Sequence, residues 1–207
     1  MTEQRVSLPT RDGLQLEGLF SRETDKGRGS VILCHPHPLY GGDMDNNVVV
    51  ALQGALAQKG FSTLRFNFRG VGGSEGGYSA GGAEVEDVQA AVQFAAGEDD
   101  GPLSLAGYSF GAYAGVQGVA QDDRVKALVC ISPPVALYDF ASLREEGRPK
   151  LIVTGKRDLI CPVNDVEELF LSLPQPKTLQ IVAGADHFWW GIEDQVGNYV
   201  IDFLQGL

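Results

Sequence analysis

Cysteine is scarce: Cys34, Cys130 and Cys161 are the only three in 207 residues, far apart and in no C-x-x-C arrangement. An odd count closes no complete internal disulfide framework, and a reducing, cytoplasmic setting is the expectation. Positive charge is in short supply as well. Sixteen Lys and Arg stand against 27 Asp and Glu, a formal charge of −11. That is the wrong sign for following a phosphate backbone or lying on an anionic bilayer, so neither nucleic acid nor membrane is expected as a partner. No stretch approaches the roughly 18 apolar residues of a membrane span, and Met1 to Pro9, carrying Glu3 and Arg5, has no apolar centre of an export signal. No G-x-x-x-x-G-K-[ST] occurs, which removes the commonest phosphate-binding loop.

What is present fits one domain, residues 1–207, with 43% hydrophobic residues to build its core and no linker or internal repeat. The 27 glycines follow no collagen-like period and predict tight turns. Apolar residues alternate through Val6, Leu8, Leu14, Leu16 and Phe20, with Asp12-Gly13 between the two runs, the pattern of an antiparallel hairpin. Beyond the polar stretch 22–30, short apolar runs alternate with segments of helical spacing. The runs Val31–Cys34, Ser62–Phe68, Leu103–Tyr108, Ala127–Ser132, Lys150–Thr154 and Thr178–Val182 read as parallel strands buried on both faces. Helices are expected around Val49, Leu52 and Leu56, ending at Lys59-Gly60, and around Val85, Val88, Val92 and Ala95, closed by Gly97. Two more are expected around Val166 to Leu173 behind Asn164 as N-cap, and over Ile192–Leu204. The fold class is α/β: a mostly parallel sheet with an N-terminal antiparallel hairpin and helices on both faces.

Gly107-Tyr108-Ser109-Phe110-Gly111 follows a strand and precedes a run of small residues, Ala112 to Ala120. A serine held in a sharp strand-to-helix turn exposes its Oγ, and glycines two residues to either side let strand and helix approach closely. A turn serine that merely caps a helix is the plain alternative. The serine hydroxyl needs a base at neutral pH. His35 and His37 precede Ser109, whereas His187 follows the last strand, so His187 is the expected base. Asp158, just past Lys150–Thr154, is the expected orienting carboxylate, with Asp139, Asp165 and Asp186 as rivals.

Acyl transfer builds negative charge on an oxygen, and backbone N–H groups aimed at it give the largest rate term. Phe110 is expected to supply one N–H. The other falls in Cys34-His35-Pro36-His37-Pro38-Leu39-Tyr40, where the prolines have none, leaving His37 first and Leu39 and Tyr40 behind it. His35-x-His37 lacks a third ligand at recognisable spacing, so no metal or cofactor is expected, and His35 is read as fixing its loop by backbone hydrogen bonds. Gly70-Val71-Gly72 lacks the third glycine of a dinucleotide fingerprint, position 75 being Glu, and Arg69 is read as a loop brace. Leu39, Tyr40, Tyr108, Phe188 and Trp189 are candidate substrate contacts, with Phe188, Trp189 and Trp190 serving either as an acyl-side wall or as packing.

These residues resemble the α/β-hydrolase superfamily, in particular its small capless dienelactone-hydrolase-like and carboxylesterase-like bacterial members. The resemblance runs over nearly the whole chain and is carried by His35-Pro36-His37-Pro38 with Gly41-Gly42 and Asn46, by Leu64 to Gly72, by Gly107 to Tyr113 and by Gly184 to Trp189. It implies nucleophile, acid and base at Ser109, Asp158 and His187. Dienelactone hydrolases proper use a cysteine nucleophile, so their lactone substrate does not transfer. The expected activity is cleavage of small carboxylic esters or thioesters through an acyl-enzyme, with a small-molecule ester as partner. Amide hydrolysis of the serine-peptidase kind and a catalytically silent scaffold are the alternatives. The seventeen residues 133–149 are too few for a lid domain, so an open site is expected, which disfavours lipase action.

Overall fold

A computed structural model describes residues 2–23 and 28–207; the middle of the polar stretch 22–30 lies outside the described residues. The strands are β1 (Thr2–Pro9), β2 (Gln15–Arg22), β3 (Ser30–Cys34), β4 (Ser62–Phe66), β5 (Leu103–Tyr108), β6 (Val125–Ile131), β7 (Lys150–Gly155) and β8 (Lys177–Val182). The helices are α1 (Asn47–Ala57), α2 (Glu84–Glu98), α3 (Phe110–Val119), α4 (Val163–Ser172) and α5 (Glu193–Gln205). One eight-stranded sheet has the order β1-β2-β4-β3-β5-β6-β7-β8. Pairing is antiparallel from β1 to β2 and β2 to β4, and parallel across the rest.

The hairpin forms where Leu8 pairs with Leu16 and both bury, with Phe20, against the core. Its turn is longer than an Asp-Gly dipeptide requires: Thr10 Oγ1 accepts from Leu14 N–H at 2.9 Å, and Gly13, at φ 92°, carries the positive φ. Strands β3, β4, β5 and β7 are buried at every position because helices cover both sides. α1 and α5 share one apolar cluster, in which Val48, Leu52 and Leu56 meet Val196, Val200 and Leu204. α2, α3 and α4 build the other, with Val88, Val92, Val116, Val166 and Leu169. Along β5 the alternation sends Leu103 and Leu105 to the second cluster, and Ala106 and Tyr108 to the first.

Several sequence expectations shift. β4 stops at Phe66 because the Asn67 N–H turns to the Glu17 carbonyl and the Phe68 N–H to His35 Nε2, leaving the parallel ladder. β8 is an edge strand, mostly half-buried or exposed rather than covered on both faces, since no strand lies beyond it. Asn164 caps nothing: α4 begins at Val163, with Pro162 in the cap position supplying the fixed φ that starts a helix. Gly97 lies inside α2, not past its end. α1 ends as its sequence predicts, with Gly60 left-handed at φ 81° and its N–H on the Ala57 carbonyl.

β3 and β5 are neighbours, yet the chain leaves β3 for β4 on one side and returns to β5 on the other. At such a switch point the loops leaving the two strands part and open a crevice at their carboxyl ends. Ser109 and the His35–Tyr40 loop emerge there.

Candidate active site

Ser109 sits between β5 and α3 at φ 54°, ψ −119°, a left-handed conformation that is unusual outside glycine. Its flanking glycines are required sterically. A Cβ at Gly107 would lie 2.3 Å from the Gly111 carbonyl oxygen, and one at Gly111 would lie 2.3 Å from that of Cys34 and 2.5 Å from that of His35. The end of β3, the elbow and the start of α3 therefore touch backbone to backbone.

The imidazole of His187 reaches Ser109 from the loop after β8, with Nε2 3.1 Å from Oγ. Its other nitrogen, Nδ1, lies 2.9 Å from Asp158 Oδ2. A carboxylate accepts only, so Nδ1 carries the proton and Nε2 presents its lone pair to the serine hydroxyl. Asp158 Oδ1 accepts from the backbone N–H groups of Ile160 at 2.9 Å and Cys161 at 2.7 Å, which fixes the carboxylate and leaves Oδ2 for the imidazole. The rival aspartates lie elsewhere. Asp139 is exposed and accepts from Ala141 N–H, Asp165 is exposed in the first turn of α4, and Asp186 accepts from the N–H groups of Phe188 and Trp189.

The loop after β3 is held by its two histidines in different ways. His35 is fully buried; Nδ1–H donates to the Pro36 carbonyl at 2.6 Å, and Nε2 accepts from Phe68 N–H at 3.0 Å. Burial pushes its pKa down to about 4. His37 Nδ1 accepts from Leu39 N–H at 3.1 Å, and Nε2 meets the Tyr78 hydroxyl at 3.0 Å, the ring packing on Phe110 and Tyr78. Burial lowers its pKa as well. The Tyr40 N–H goes to the His37 carbonyl. The N–H groups of His37 and Phe110 donate to no acceptor among the described residues, whereas those of Leu39 and Tyr40 are engaged.

The remaining candidates divide by burial. Leu39, Tyr40 and Phe188 are exposed at the mouth, as is Trp190. Tyr108 and Trp189 are not substrate contacts: both point into the cluster beneath α1 and α5. Alternation along β5 turns Tyr108 to that face, where its hydroxyl donates to the His187 carbonyl at 2.6 Å. Trp189 has no solvent-exposed surface, and its Nε1–H donates to Ser132 Oγ at 3.1 Å. Both thus steady the histidine loop from below, and Asn47 Nδ2 ties the same loop to α1 through the Phe188 carbonyl. Arg69 is a brace, donating to buried Asp87 at 2.7 Å and to Asp12 at 2.8 Å, so it links the exit of β4 to α2 and the hairpin turn.

Cys161, read in the sequence only as one of three scattered cysteines, also lies at the site. Its Sγ lies 3.6 Å from His187 Nδ1, and its S–H donates to the Ser132 carbonyl at 3.0 Å. Burial and the Asp158 charge raise its pKa, so it is a thiol. Its position three residues after Asp158 was the available signal.

Among the described residues no helix is long and apolar enough to cross a membrane. Between β6 and β7 the chain makes only a short 3-10 turn, Ala141–Glu145, and no lid. The sequence matches the family described as "Alpha/beta hydrolase domain" over residues 28–193. It is 34% identical to an uncharacterized protein of Rickettsia prowazekii over 200 residues, covering 92% of this chain and 84% of that one. Among solved structures, an alpha-beta serine hydrolase homologue from Coxiella burnetii is 36% identical with a TM-score of 0.89, over 100% of this chain and 98% of that one. An a/b serine hydrolase without lid from Xanthomonas campestris is 28% identical with a TM-score of 0.90, over 100% and 95%. The eight-stranded sheet, the elbow serine and these matches agree, and the chain belongs to the α/β-hydrolase family.

Proposed function

We propose that this protein is a serine hydrolase that cleaves small carboxylic esters or thioesters through an acyl-enzyme on Ser109. The observation that carries this reading is the continuous line from Asp158 Oδ2 through His187 to Ser109 Oγ, at 2.9 and 3.1 Å. His187 Nε2 takes the hydroxyl proton as Oγ attacks the carbonyl carbon, and Asp158 stabilises the imidazolium that forms. The unengaged N–H groups of Phe110 and His37 receive the oxyanion. His187 then returns the proton to the leaving alcohol or thiol, and a water activated by the same nitrogen releases the acid. No step calls for a metal or cofactor.

Substrate size is read from the mouth. With no lid to exclude water or wall a long chain, short activated acyl groups are favoured over triglycerides. Exposed Leu39, Tyr40 and Phe188 offer apolar contact at the rim. The test is labelling with a fluorophosphonate probe alongside hydrolysis of p-nitrophenyl esters of rising chain length. Labelling at Ser109 that disappears in Ser109→Ala, with turnover highest for short acyl groups, is expected. A folded wild type that neither labels nor hydrolyses any ester would leave the scaffold reading in its place.

A further inference from the structure

Behind the serine, Asp158, Cys161 and His187 gather a carboxylate oxygen, a sulfur and a ring nitrogen, all within 4.8 Å of one another. Two of these groups already face each other, Nδ1 at 2.9 Å from Oδ2. The third, the Cys161 thiol, has no part in the proposed reaction, yet lies 3.6 Å from Nδ1. Tetrahedral zinc, with Zn–S near 2.3 Å and Zn–N near 2.0 Å, sets sulfur and nitrogen roughly 3.5 Å apart. Cys, His and Asp together are a ligand set for zinc or cobalt, and the sulfur discriminates against magnesium and calcium, which take oxygen.

We propose that this cluster is an inhibitory site for a thiophilic divalent cation, Zn²⁺ or a relative of it, seated between Sγ, Nδ1 and Oδ2. On binding, the thiol proton leaves to solvent and the imidazole proton passes from Nδ1 to Nε2, so a dication meets a thiolate, a carboxylate and a neutral ring. One proton is released and the cluster is uncharged. With Nε2 protonated, His187 cannot accept the Ser109 proton. Among the three groups, only the imidazole side chain reaches solvent, at 8%, while the Asp158 side chain and Cys161 are at 0%. The ion therefore enters past the ring, and inhibition develops slowly. The loss of turnover rests on the function proposed above; the binding itself does not.

The test uses the purified full-length protein in two arms. In the first, Co²⁺ is added to wild type and Ser109→Ala; both should show a thiolate-to-cobalt charge-transfer band, and Cys161→Val and Cys161→Ser should not. In the second, ZnCl₂ should give slow-onset inhibition of p-nitrophenyl acetate hydrolysis, reversed by EDTA and not reproduced by MgCl₂. Cys161→Val, measured against its own zinc-free rate, should need at least about tenfold more zinc. Absence of the cobalt band in wild type overturns the site, and so does equal zinc sensitivity in Cys161→Val. A wild type inactive on every ester overturns the proposed function alone, and the cobalt arm still decides the metal. If Cys161→Val fails to fold, Cys161→Ser decides by the same spectrum.

Discussion

An imidazole between a carboxylate and a hydroxyl is useful as a base only if its proton sits on the carboxylate side. At His187 that choice is made by Asp158, whose other oxygen is occupied by two backbone N–H groups. Asp158→Asn keeps the shape but can donate to Nδ1, which favours the tautomer with the proton facing Ser109. Turnover should fall by roughly 10⁴-fold with the fold intact. Asp139→Asn, at an exposed turn, should leave it unchanged, and ester kinetics with circular dichroism on both variants checks the pair. A loss in Asp139→Asn alone would reverse the assignment. That Ser109, Asp158 and His187 come together was legible because chain order and strand ends constrain them. Tyr108 and Trp189 were misread because a sequence does not say which face of a sheet, or which side of a loop, a large aromatic will fill. The contact of Cys161 with His187 was hidden for a related reason: the two are 26 residues apart and meet only through the fold.

At the scale of elements, the elbow is a three-way backbone contact between the end of β3, the end of β5 and the start of α3. Gly111→Ala would place a methyl against two carbonyl oxygens with no flexible side chain to give way. A destabilisation on the order of 3 kcal/mol is expected, read as a lower urea midpoint. An unchanged midpoint would mean that α3 shifts freely. Because the same movement carries the Phe110 and His37 amides apart, activity should fall even in the fraction that remains folded. Strands with continuous apolar runs, β3 and β5 among them, were readable to within a residue, as steric and burial demands are local there. β8 was bounded as closely, but its partial exposure was not legible, because that depends on its place at the edge of the sheet.

For the molecule as a whole, acid should be destabilising well above the range where ordinary carboxylates titrate. His35 is neutral in the fold, its pKa depressed from 6.5 to about 4, while in the unfolded chain it binds a proton near the ordinary value. Between those two values the unfolded state holds more protons, so its contribution to stability is complete above pH 6.5 and is lost as pH falls towards 4. The full loss is about 3 kcal/mol, of which about 2 kcal/mol should be gone by pH 5. Urea unfolding at pH 7, 6 and 5 measures the slope; a flat profile would mean that His35 protonates in place. Protonation would also break the bond from Phe68 N–H to Nε2 that joins the ends of β3 and β4.

The brief passage of chain between β6 and β7 has one more consequence. It leaves the sheet from β6, between β5, which leads into Ser109, and β7, which leads to Asp158, and it is held down by Tyr138 and Phe140 packing on Phe110 and Tyr113. Its exposed crest at Ala136 and Leu137 is free to lengthen. A segment grafted at that crest would roof the crevice and narrow what enters it, so selectivity could be rebuilt here as an accessory while the reactive machinery underneath stayed where it is.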